Sequence, residues 1–182
     1  MTGEQRFFPR VAYLGAIFLL VCSVFQDVLG EEVEVAEGRI SLNVPLGWEK
    51  SDLNQGEVLA GWATADSRSS VFLREMNASS GGSMDDLLRN TVNNYEKIFD
   101  VKDVGEFRTG QVNGPEKKWP AIFSMVEADV DKGEKTHEMR FYLMIFDTGS
   151  SLYFFQGSTT IPVSSGREND VMGMMRSIVA KS

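Results

Sequence analysis

Cysteine and histidine are almost missing from this sequence: each occurs once, as Cys22 and His137. Zinc sites draw on several such ligands, so a protein zinc centre has nothing to be built from. His137 lies in "KTHEMRFYL", near the start of a strong strand. A general base there would need a positioned partner, and the sequence identifies none, so it reads as a surface or edge-strand histidine. No Gly-x-Ser-x-Gly turn occurs, and no Lys-Ser/Thr follows a glycine loop to hold a phosphate. Glu127, Asp129, Asp131 and Glu134 flank a glycine turn without the spacing of a calcium loop, and read as a solvated face. Basic residues are also short: 18 Lys and Arg stand against 26 Asp and Glu, a net charge of -8. Such a surface repels phosphate backbones, which excludes nucleic acid as a partner. The sequence therefore assigns no catalytic residue, no metal ligand and no cofactor, and a non-enzymatic protein is expected.

What is present begins with a segment unlike the rest. "MTGEQRFFPR" carries Arg6 and Arg10, and an apolar run follows from Val11 to Phe25. The run is shorter than the ~20 residues of a spanning helix. With Val28 and Gly30 at minus three and minus one to a cut, residues 1–30 read as a secretory signal peptide, and residues 31–182 as one domain of a secreted or periplasmic protein. "LLVC" resembles a bacterial lipobox, so lipidation at Cys22 is the alternative, but Val21 stands where a small residue is needed. Membrane attachment is thus expected only through the signal segment or such a lipid. Cleavage after Gly30 leaves no cysteine, and the core alone must hold the fold.

In the remaining chain, "EEVEVAEG" reads as a loose acidic lead. "ISLNVPLGW" alternates Ile40, Leu42 and Val44 against Ser41 and Asn43, the period of a half-buried strand. Pro45 ends it, Gly47 permits a tight turn, and Trp48 folds back as a buried plug. "EVLAGWATAD" and "SSVFLREMN" predict two further strands. Ser83 is set to cap a helix whose apolar face is Leu87, Leu88, Val92, Tyr95, Ile98 and Phe99. Residues 105–114 predict a weak strand. "KWPAIFSMVEADV", "THEMRFYLMIFD" and "SLYFFQGSTT" predict an aromatic meander. The end of the chain predicts a second helix, capped by Ser165 with Glu168, with Val171, Met172, Met175, Ile178 and Val179 as its stripe. Trp62 and Trp119 read as sheet core, and Met172, Met174 and Met175 as gap-filling core.

A strand closing in Pro45-Leu46-Gly47-Trp48, with a late aromatic meander and a terminal helix reading "MMRSIV", resembles the PsbP-like domains. That group takes in the extrinsic PsbP proteins of photosystem II, the bacterial envelope protein DcrB and a nuclear import factor that binds the GTPase Ran. The resemblance implies an α+β fold, a central antiparallel sheet flanked by helices as an α/β/α sandwich. It also implies a binding or accessory role, here that of a bacterial envelope member meeting another envelope protein. The alternative is a carrier holding a small apolar ligand between sheet and helix, in a cavity beside Met172 and Tyr95.

Overall fold

The computed structural model describes residues 30–51, 58–76, 82–133 and 135–181. The expected signal segment up to residue 29, Cys22 and Glu134 lie outside them.

Among the described residues, eleven strands and two helices follow in the order β1 (Gly30–Val35), β2 (Ile40–Pro45), β3 (Trp48–Lys50), β4 (Val58–Thr64), β5 (Ser69–Met76), α1 (Met84–Ile98), β6 (Asp100–Val104), β7 (Arg108–Asn113), β8 (Lys118–Lys132), β9 (Lys135–Asp147), β10 (Leu152–Thr160), α2 (Ser165–Ser177) and β11 (Val179–Ala180). All strands join one sheet, ordered β1-β2-β11-β7-β8-β9-β10-β5-β4-β3, with β6 also on β8.

The expected α/β/α sandwich is not what forms. Of the described residues 57% are strand and only 20% helix, and the sheet curls into a half-barrel. One helix lies on each face, too little to make a layer. The physical reason is the length of β8 and β9, 15 and 13 residues, whose twist carries the neighbouring strands round. The curl is visible in one contact: Arg39, in the turn between β1 and β2, reaches Glu75 on β5 at 3.0 Å, although five strands stand between β2 and β5 in the sheet. The same guanidinium donates to the Tyr153 hydroxyl at 2.9 Å.

The "loose lead" is in fact β1, paired residue for residue with β2 from Gly30↔Pro45 to Val35↔Ile40. Its signal was the alternation in "EVEV": Val33 and Val35 pack inward while Glu32 and Glu34 face solvent. β2 ends at Pro45 and Gly47 takes φ 84°, so the turn forms as its residues dictate. Trp48 is buried, but as the start of β3 rather than a plug, and its Nε1 donates to Asp170 on α2 at 3.2 Å.

Period-two alternation divides the core. On β9, Phe141, Leu143 and Ile145 face α1, while Tyr142, Met144 and Phe146 face α2. Leu87, Leu88, Val92 and Tyr95 of α1 are buried as the helical spacing requires. Ser83 caps the helix: its hydroxyl accepts from the Asp86 N–H at 3.2 Å, and Asp86 accepts from the Ser83 N–H at 3.0 Å. Ile98, assigned to the apolar face, is instead 67% exposed, because the chain leaves the helix there to enter β6.

Candidate binding groove

The two helices meet the sheet differently. On the α1 side the packing is dense and aromatic. Tyr95 meets Phe99 and Phe141 edge-on, at centroid distances of 5.4 and 5.1 Å, and Phe99 stacks on Phe141 at 5.5 Å. The Tyr95 hydroxyl donates to Gln156 on β10, and burial pushes its pKa up.

On the other side α2 lies inside the curl, and its N-terminal half is pinned by polar contacts. Its cap is Ser164, not Ser165, accepting from the Arg167 N–H at 3.3 Å. That shift by one residue takes Glu168 out of the capping position. Glu168 instead faces Arg140 and the Tyr142 hydroxyl, at 3.4 and 3.3 Å. Arg167 pairs with Asp66, whose carboxyl it holds well below the usual range, with help from the Thr64 hydroxyl. Gly157 on β10 is where helix and sheet touch: a Cβ there would overlap the Val171 Cγ1 methyl.

The C-terminal half of α2 packs through its methionines. Met174, which the expected stripe left out, is fully buried and Met175 nearly so, while Met172 is only partly covered. The helix stops at Ser177, so Ile178 and Val179 do not extend its stripe: Ile178 is the cap and Val179 opens β11. Between this half of α2 and β7–β9 runs an open groove of about 220 Å³. Gly110 and Val112 on β7, Ala121 and Phe123 on β8, and Met144 on β9 form its floor, and Met172, Met175 and Arg176 its helical wall. Met125 continues the same strand face beyond Phe123 and is 36% exposed. Small residues on the floor and unbranched thioethers on the wall make a surface that can adapt to an apolar occupant.

The sequence pointed to Met172 and Met175 but not to the groove, because its depth comes from Gly110 and Ala121, which carry no hydrophobic signal. Tyr95 and Met172, expected beside one cavity, lie on opposite faces of the sheet. Trp62 and Trp119 are buried on the α2 face, Trp119 donating to the Ala180 carbonyl at 2.8 Å. His137 sits half-buried on β9 opposite Val130. The acids around the β8–β9 turn are separately engaged: Glu127 with Arg140 at 2.6 Å, Asp129 with Lys102 at 3.2 Å, and Asp131 with the Thr136 hydroxyl at 2.6 Å. Among the described residues no group of three acids, histidines or cysteines could hold a metal ion. None of their helices is long and apolar enough to cross a membrane.

No family model and no curated protein matches this sequence. Solved structures do. The Ran-binding protein Mog1p of Saccharomyces cerevisiae superposes with a TM-score of 0.55 at 11% identity, over 84% of this chain and 95% of that one. Cyanobacterial PsbP (CyanoP) of Synechocystis sp. PCC 6803 gives 0.53 at 15%, over 89% and 98%. The fold is PsbP-like. LpqN of Mycobacterium tuberculosis, described as involved in cell envelope biogenesis, has it too, with a TM-score of 0.54 at 10% identity over 86% of this chain and 88% of its own. At these identities the likeness is one of backbone, and the PsbP-like fold alone assigns no partner.

Proposed function

We propose that this chain is a non-enzymatic binding module that works by contact with another protein outside the cytoplasm, through the groove beside α2. The observation that carries the reading is the groove itself, a mainly apolar surface left open beside the buried core of the α2 face. A carrier of a small apolar ligand would need the ligand largely enclosed, and this groove of about 220 Å³ is only partly enclosed. Catalysis would need convergent titratable groups, and the groove offers one arginine and one glutamine, Arg176 and Gln111. The Ran-binding Mog1p and the envelope-biogenesis protein LpqN support a binding or accessory role by analogy of fold. LpqN and the basic-then-apolar residues 6–25 together support an envelope location.

The test is site-specific photo-crosslinking in cells that make the protein. A crosslinker at Met125, on the groove side, should trap a distinct protein that one at Ile98, on the α1 side, does not. Equal trapping at both positions would remove the groove from the reading. If no protein is trapped and native mass spectrometry shows a retained lipid-like molecule, the carrier reading replaces this one.

A further inference from the structure

Gly110 has no local reason to be glycine. Its φ lies outside the left-handed region, and a Cβ built on it would meet no atom within 4 Å. Gly157, on the same sheet face, shows the contrast, since Val171 of α2 fills the place of its side chain. A glycine inside a strand often marks a bulge, a bend or a place where a ligand or another backbone approaches closely, and the open space here favours the last.

The surrounding strand points to what approaches. β7 pairs with β8 along its inner side from Arg108↔Phe123 to Asn113↔Lys118. On its outer side β11 meets it only at Val179↔Asn113. From Arg108 to Val112 the outer edge has no strand partner among the described residues, and Arg108 to Gln111 are exposed. Beyond its two residues of pairing with β11, β2 is met by α2 instead, the Asn43 N–H donating to the Ser177 hydroxyl at 2.9 Å. The sheet is therefore split between β2 and β7, and the groove opens into the split.

We infer that this split takes one extended segment of a partner polypeptide, which adds to the β7 edge as a strand. Main-chain hydrogen bonds to the edge would hold it, as in other strand additions. Its side chains of one parity would hang over the bare Gly110 position and rest on Met172 and Met175. Arg176, on the groove wall, has no ion-pair partner among the described residues, so the segment that fits carries a carboxylate beside its apolar side chain. This rests on the groove reading above and names the chemistry of the occupant.

The experiment is selection from a displayed library of random peptides of about six residues, the usual length of one strand, followed by titration of the selected peptides in solution. The expected peptides pair a large apolar residue with Asp or Glu, and they shift the amide signals of Gly110 and Gln111. Gly110→Val should weaken them by at least about tenfold without lowering the melting temperature. Arg176→Gln should erase the preference for the acidic residue while neutral peptides still bind. Four results would overturn the inference: no enrichment, binding that shifts amides elsewhere, binding that survives Gly110→Val, or concentration-dependent shifts of the same amides without peptide, which would make a second copy the occupant. Failure here with specific trapping at Met125 would leave the binding-module reading standing and remove strand addition alone.

Discussion

The two faces of the sheet are built from alternate residues of the same strands, yet they end differently. The α1 face closes on itself: one strongly amphipathic helix, capped by Ser83, lays four buried residues onto rings from β9 and β10. The α2 face is held by directional contacts, Arg167–Asp66, Trp48–Asp170, Glu168–Arg140 and Asn43–Ser177, and leaves a groove between α2 and β7. Hydrophobic packing is non-directional and fills the space it has. A helix anchored by ion pairs and hydrogen bonds can stand off from part of its sheet. The face with the poorer helix pattern is thus the one that keeps an open groove.

The strongest way to break the comparison is in the α1 core. Phe141→Ala removes a ring that contacts both Tyr95 and Phe99, and should cost about 3–5 kcal/mol in denaturant melts. Since β9 carries both faces, the loss should be global and cooperative. A cost below about 1 kcal/mol would show the α1 side to be as loosely filled as the groove.

Gly157→Ala asks the same of the anchored end of α2. The new methyl has no room beside Val171, a stiff β-branched side chain, so the helix must shift. An overpacking cost of about 1–3 kcal/mol is expected. An unchanged melting temperature would mean that α2 is not seated where the structure places it.

Acid should separate the faces more gently. Asp66 is held below its ordinary value of 3.8 by Arg167 and Thr64, and Glu75 below 4.5 by Arg39 and Ser151. Both contacts hold the α2 side, one through the helix and one through the curl. Carboxyls with lowered folded pKa values stabilise fully above their unfolded values, and that contribution is lost as pH falls through the folded ones. Asp86, lowered by Ser83, acts in the same direction on the α1 cap. With two of these three carboxyls on the α2 side, tryptophan emission, which reads Trp48, Trp62 and Trp119 on that face, should begin to change below about pH 4.5 before far-ultraviolet circular dichroism does. Coincident transitions would refute the looser attachment of α2.

Much of this fold is legible in the sequence, and the failures have a common cause. Strands β2, β4, β5 and β8–β10 follow from alternation, and α1 follows from its cap and its spacing. β1 was obscured by its glutamates, which all face water. β6 and β11 are too short or too polar to show a period, and exist because a neighbouring edge accepts them. The terminal helix reads past its true end because Ile178 and Val179 continue its hydrophobicity, while the pairing of Val179 with Ser41 claims them for the sheet. The layer arrangement is not legible in the sequence, because curvature is a property of strand length and twist, not of residue pattern. The groove was only half legible: its methionines stand out, whereas Gly110 acquires meaning only when the space above it is seen to be empty.

That space is the centre of the account, and Gly110→Val tests it most directly when stability and binding are measured on the same protein. Valine suits a strand and its Cβ meets no neighbour within 4 Å here, so stability should hold or rise by about 0.5–1 kcal/mol. Trapping of the partner through the Met125 crosslinker should fall at least about tenfold. A valine variant that is equally stable and traps its partner as well as the wild type would contradict the claim that the partner adds to the β7 edge over Gly110.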